Sequence, residues 1–276
     1  MFPVRNYRDF FNIMELKLAS DLHIEHYTKW ELPNLGSGDV LVLAGDVISA
    51  KYLKTNGDNK QKALEYFNTL SNNFKHIIYI EGNHSFYGCR YETTFDDVKE
   101  VLPENFIHLE NNKVKIGDWW FVGAVCWTNF NNENPFALMD ATRLMNDYRY
   151  IKYGSTYRKF FPDDVLNIHK ETMGYFKATL DELKDEKVVM ITHHTPTRKS
   201  THPKFAGELG NAYFNNDLEN WILERPQIKY WFCGHTHWAH NYKVGECHVF
   251  CNPLGYPGED SGFDKDLVIQ LPCATG

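Results

Sequence analysis

Seven residues of metal-ligating type fall at the ends of five apolar runs: Asp21 with His23, Asp46, Asn83, His193, and His235 with His237. Carboxylate oxygen, amide oxygen and imidazole nitrogen together suit a hard-to-borderline divalent cation. Two such cations about 3.5 to 4 Å apart need a ligand able to bridge them, and a carboxylate has two oxygens for that task. Asp46 stands alone at the end of its run and is the expected bridge. Asp21, His23 and His237 would complete one site; Asn83, His193 and His235 would complete the other. Two carboxylates neutralise only part of the charge of two divalent ions. The cluster therefore stays cationic, attracts a phosphate oxygen and holds a bridging hydroxide at neutral pH. That hydroxide is the expected nucleophile for in-line displacement at phosphorus. His84, beside Asn83, is placed to protonate the leaving oxygen or to stabilise charge in the transition state.

Strands must aim these residues. Residues 16–20 alternate in polarity and stop at Asp21-Leu22-His23. Residues 40–44 are continuously apolar, as in a strand buried on both faces, and stop at Gly45-Asp46. Residues 76–80 lead to Gly82-Asn83-His84, 187–192 to His193-His194, and 230–233 to Gly234-His235-Thr236-His237. Further strands are expected at 119–126, 248–251 and 267–271. Helices are expected at 60–73, where Leu64, Phe67, Leu70 and Phe74 keep helical spacing, and at 92–102, 136–145 and 216–224. The longest is expected at 163–184, entered through Pro162. Residues 129–134 and 196–211 read as loops. Strands alternating with helices argue for an α/β layered architecture, in which ligands gather at the carboxyl ends of strands. Without repeats or a low-complexity linker, one domain over 14–276 is the simplest organisation, preceded by an extension at 1–13.

A net charge of −7 argues against broad binding to duplex DNA, which needs a basic face, though a local basic groove stays open. No apolar run reaches the ~18 to 20 residues of a membrane span. The first residues interleave aromatics with charges and do not read as a signal peptide. The six cysteines lack paired zinc spacing, so reduced thiols in a cytoplasmic protein are expected.

The set Asp21-Leu22-His23, Gly45-Asp46, Gly82-Asn83-His84, Thr192-His193-His194 and Gly234-His235-Thr236-His237 resembles the calcineurin-like metallophosphoesterases. The resemblance implies a four-layer αββα sandwich of two mixed sheets flanked by helices. It also implies the metal assignments above, with His84 as the catalytic histidine that is not a ligand. Manganese is the first choice of ion for a mixed oxygen and nitrogen set in this family, with iron or zinc as replacements. Similar stretches at Trp127-Thr128-Asn129-Phe130, Met145-Asn146-Asp147-Tyr148-Arg149 and Cys251-Asn252-Pro253-Leu254-Gly255-Tyr256 extend the likeness to bacterial and phage phosphoesterases of undefined substrate. The expected reaction is hydrolysis of a phosphodiester or phosphomonoester in a small nucleotide-type substrate. A scaffold that keeps the fold but binds a partner, and a nuclease, are the alternatives. Two departures stand out. Ser85 replaces the acidic residue that often follows the Gly-Asn-His motif, and Gly45-Asp46-Val47-Ile48-Ser49 lacks the continuation of the protein Ser/Thr phosphatases.

Substrate contacts are expected from Asn83, His84, Asn146, Asp147, Arg149 and Arg198. For Asn146, Asp147 and Arg149 a helix-capping role stays open beside pocket lining. For Arg198 a solvated surface position stays open beside a phosphate clamp. Strand alternation points His194 away from the site. His26, His202 and His240 read as surface or loop residues, and His169 and Cys233 as core packing.

Overall fold

The computed structural model describes residues 13–273, so the extension read at 1–13 lies outside the described residues but for Ile13, which opens the first strand. The buried runs of the sequence become the inner strands of two sheets. In the first sheet, β1 (Ile13–Ala19), β2 (Gly38–Ala44), β3 (Phe74–Ile80) and β4 (Phe106–His108) run parallel in that order. The second sheet contains β5 (Asn112–Ile116) and β6 (Trp119–Ala124). The short strands β7 (Lys152–Tyr153) and β8 (Arg158–Lys159) form a separate hairpin. Then come β9 (Lys187–Thr192), β10 (Ile228–Cys233), β11 (His240–Val244) and β12 (Cys247–Cys251), giving the second sheet the order β11-β12-β10-β9-β6-β5. Its inner four strands are parallel and both edges antiparallel. The last strand, β13 (Ile269–Pro272), adds antiparallel to β1. Both sheets are therefore mixed.

Three core clusters show the layering. Leu16, Leu18, Val40 and Ile78 of the first sheet meet Phe121, Val189, Ile191 and Phe232 of the second. The opposite face of the first sheet packs Leu41, Leu43 and Ile77 on Ala63, Phe67 and Leu70 of the helix Asp58–Asn73. The outer face of the second sheet packs Val188, Met190 and Trp231 on Phe176 and Leu180 of the helix Pro162–Glu182. Alternating strand residues thus supply both faces of each sheet, and the result is a four-layer αββα sandwich. Among the described residues no helix is long and apolar enough to cross a membrane.

Parallel strands send all their carboxyl ends to one edge, which is where the polar tips collect. Backbone bonds lock tip to tip: Asp21 N donates to Gly45 O at 2.9 Å, His23 N to Asp46 O at 3.0 Å and Gly234 N to His193 O at 3.0 Å. The sequence did not reveal β4, β5 or β11, which are short, partly exposed edge strands. The segment expected as a plain loop at 129–134 contains a left-handed turn, with φ of 51° to 60° from Phe130 to Glu133. Buried Phe130 anchors that turn in a fourth cluster with Trp127, Ala137 and Tyr148.

Candidate metal centre

At the strand tips, ligand atoms of Asp21, His23 and His237 lie within 4.8 Å of one another, and so do those of Asp46, His193 and His235. Asp46 also groups with His23 and His84, so a single carboxylate faces both clusters. Its Oδ2 lies 3.2 Å from His193 Nε2, and its Oδ1 accepts the His84 backbone N–H at 2.8 Å. Asn83 joins the second cluster through Oδ1, 3.2 Å from His193 Nε2. All seven residues singled out from the sequence are thus brought together at the strand tips.

Hydrogen bonds from the far side of each ring decide which nitrogen faces inward. A carbonyl can only accept, so the 3.0 Å contact of His193 Nδ1 with Ala44 O places a proton on Nδ1 and turns Nε2 to the cluster. This bond also ties the second sheet to the first. His237 Nδ1 is held by Glu259 Oε2 at 2.6 Å, leaving its Nε2 3.1 Å from His23 Nε2 and 3.5 Å from Asp21 Oδ1. Asp21 is fixed in turn by the His235 backbone N–H, at 3.0 and 3.1 Å from its two oxygens. His235 Nε2 is buried with no hydrogen-bond partner, an orphan that a cation would satisfy.

Backbone conformation adds to the organisation. Asp21, His23, Asp46, His235 and His237 all have positive φ, between 41° and 73°. Strain of this kind persists only where the surroundings over-determine it. Gly82 shows how tight the surroundings are: a Cβ there would lie 2.1 Å from Asp46 Oδ1 and 2.5 Å from Asp46 N. Ser85, the departure noted above, accepts the Gly82 N–H at 3.2 Å and stabilises the same turn.

Charge is balanced by protons where no cation supplies it. Burial pushes the Asp46 carboxyl upward, but the charges of His193 and His84 more than reverse this and hold it well below the usual carboxylate range. Burial opposes a charge on His193 as well, yet Asp46 outweighs it and raises the ring to about 9. His237 is likewise raised to about 9, burial being outweighed by Asp21 and then Glu259. Burial lowers His23 to about 3 and His235 well below its ordinary value, so these two rings are neutral and ready to ligate. The donor set, the shared carboxylate and the orphaned imidazole fit a pair of divalent cations.

His84 is half-buried beside this cluster, its ring stacked on Tyr87 at 4.2 Å, with the Tyr256 hydroxyl 3.4 Å from its ring nitrogens. The remaining expected residues divide. Asp147 is buried and faces the Tyr87 hydroxyl at 3.4 Å and the Asn83 amide, which places it behind Asn83. Arg149 donates to Arg143 O at 2.6 Å and Asn146 Oδ1 at 3.3 Å, closing the end of the helix Pro135–Leu144. Arg198 is exposed and pairs with Asn131 and with Asp217, at 3.1 Å, joining two loops.

Two expectations are corrected. His194 does not point away: its ring lies 4.2 Å from that of His235. Strand pairing ends at Thr192, whose Oγ1 donates to His194 O at 2.8 Å, so alternation no longer governs the next residues. His240 is not a loop residue but the first of β11, with Nε2 buried. His169 is core, its Nδ1 on Trp127 O at 2.6 Å, whereas His26 is exposed and His202 lies against Trp238. Sequence reasoning missed Glu259 and Tyr87. Tyr256, quoted only as part of a motif, stacks on His23 at 4.5 Å.

A two-sheet sandwich with imidazole and carboxylate clusters at its strand tips defines a metallophosphoesterase. The chain belongs to the calcineurin-like phosphoesterase family, whose sequence pattern matches residues 14–239. By family it is a metal-dependent phosphoric ester hydrolase. It is 26% identical over 287 residues, covering 93% of this chain and 96% of the relative, to the protein named Uncharacterized protein L509 of Acanthamoeba polyphaga mimivirus. Its fold is similar to the phosphopantetheinyl hydrolase of Mycobacterium tuberculosis, with a TM-score of 0.65, 16% identity, and 94% and 96% of the two chains covered. A dimetal phosphatase from Danio rerio shares the fold with a TM-score of 0.51, 9% identity, and 94% and 95% coverage.

Proposed function

We propose that the protein hydrolyses a phosphodiester or phosphomonoester of small nucleotide type at a two-ion centre, with Mn2+ as the first choice of ion. The observation that carries the reading is the position of Asp46, one carboxylate within ligating range of both clusters. Asp21, His23 and His237 hold one ion, and Asn83, His193 and His235 the other. When bound, two divalent ions supply a cationic anchor for phosphate and an activated water. The chain supplies the rest. Glu259 and the Ala44 carbonyl fix the inward nitrogens of His237 and His193. Asp147 and the Tyr87 hydroxyl engage the Asn83 amide and so turn its oxygen inward. His84, free of the ligand set and braced by Tyr87, delivers a proton or positive charge to the leaving oxygen.

The test is metal-reconstituted protein assayed against nucleotide monoesters, nucleotide diesters, cyclic nucleotides and a phosphopantetheinyl ester. Turnover of a nucleotide substrate that disappears in Asp46→Ala, with the circular dichroism of the parent retained, supports the proposal. Unchanged turnover in that variant removes the mechanism. Fewer than one ion per chain under metal-replete conditions favours the scaffold reading. Cleavage confined to oligonucleotides, with salt-sensitive binding, favours the nuclease.

A further inference from the structure

The sheet that carries His235 and His237 also carries a sulfur-rich cluster directly behind them. Register pairs Cys233 with Cys251 across β10 and β12, and Cys251 with His240 across β12 and β11. In-register neighbours share a face of the sheet, so three adjacent strands line up two thiols and an imidazole in one row. The row lies on the outer face, where Cys233 and Cys251 are buried with Trp231 and Val249. The two sulfurs and one His240 nitrogen all lie within 4.8 Å of one another.

The His240 ring is oriented for ligation. Nδ1 lies 2.8 Å from Trp238 O, so in the neutral ring it carries the proton and Nε2 bears the lone pair. Nε2 is buried and has no hydrogen-bond partner. Leaving such an acceptor unmet costs free energy that a cation would recover. The thiols make weak contacts with backbone carbonyls, Cys233 Sγ with Phe250 O at 3.6 Å and Cys251 Sγ with Gly234 O at 3.7 Å, and they also meet each other, with His240 beside Cys233. Above them the Thr236 hydroxyl is buried and stands beside Cys251.

We propose that Cys233, Cys251 and His240 form a separate site for a thiophilic d10 cation, Zn2+ or Cu(I). Two thiolates and one imidazole are the donors such ions select, whereas the oxygen and nitrogen set at the strand tips suits harder ions. Zinc lies about 2.3 Å from sulfur and about 2.0 Å from nitrogen, which fits a triangle of donors with sides under 4.8 Å. The cation would tie β10, β11 and β12 together beneath Gly234-His235-Thr236-His237 and brace that turn from behind. Both sulfurs ligate as thiolates, so any proton still on a thiol leaves to solvent on binding, and no oxidation state changes.

Cobalt titration of the full chain, stripped of metal and kept reduced, separates this site from the other. Only thiolate ligands give sulfur-to-cobalt charge transfer in the near ultraviolet. The band is expected in the parent and in Asp46→Ala, and is expected to be lost in Cys251→Ser. In His240→Gln, which keeps both thiols, cobalt affinity at this band should fall at least tenfold. Circular dichroism confirms that each variant is folded. Zn2+ and Cu(I) titrations then identify the ion: competition with the cobalt band by Zn2+ assigns zinc, and chelator-resistant Cu(I) uptake lost in Cys251→Ser assigns copper. A parent protein with no sulfur-to-cobalt band and no such Cu(I) uptake overturns the proposal. So does a band that survives in Cys251→Ser.

Discussion

Loading the candidate metal centre should release protons, and the amount follows from the two histidines paired with carboxylates. Without cations, His193 and His237 are each raised to about 9, so both rings are charged at pH 7. Their inward Nε2 atoms must be bare to ligate, so each ion displaces one proton at neutral pH. Asp21 and Asp46 are held below their ordinary value and contribute no protons, and His23 and His235 are already neutral. Each displaced proton changes apparent affinity about tenfold per pH unit well below 9, so each ion should bind about fiftyfold tighter at pH 9 than at pH 7. Above about 9 the dependence should flatten. The linked stability of the metal-free chain has the opposite sign. Groups raised from an ordinary value of 6.5 stabilise the fold fully below that pH, and this contribution is lost as pH rises through about 9. Isothermal titration with Mn2+ in buffers of different ionisation enthalpy, from pH 6.5 to 9.5, counts the protons. Metal affinity that is flat across this range, with no buffer dependence of the heat, would refute the pairing of His193 with Asp46 and of His237 with Asp21.

Three substitutions test the parts singly. Glu259→Ala removes the carboxylate that orients His237 and should weaken one of the two ions by about 10- to 100-fold, read by metal titration, while Glu259→Gln, which can still accept from Nδ1, should lose less. Gly82→Ala drives a Cβ into the backbone and carboxylate of Asp46, and should cost about 2 to 4 kcal/mol in urea unfolding together with metal content. His84→Ala should lower kcat by about 10²- to 10⁴-fold with the metal content of the parent; loss of metal instead would make His84 a ligand.

The sequence revealed the parts of the site that depend on strand ends and hid the parts that depend on contacts between distant segments. Asp21, Asp46, Asn83, His193 and His235 each terminate a long apolar strand, and parallel strands bring such ends together without further information. Glu259 lies 22 residues beyond His237 in an exposed, irregular stretch, and nothing in its neighbourhood marks it as that ring's partner. The role of Asp147 was hidden because a carboxylate behind an amide and one facing a substrate have the same local sequence. His194 and His240 were misplaced for a shared reason: periodicity holds only within a strand, and their strands end or begin at those residues.

Local rules also break where the seven residues converge. Five of them adopt positive φ, a conformation that costs of order 1 to 3 kcal/mol for a residue with a side chain, although Asp tolerates it better than most. The cost is offset by bonds that exist only in the assembled sandwich. Asp21 and His23 lean on the Gly45 and Asp46 carbonyls of the neighbouring strand tip, and His235 donates its N–H to Asp21 of the opposite sheet. His193 reaches the Ala44 carbonyl across the same divide. The ligands are therefore held by the packing of two sheets.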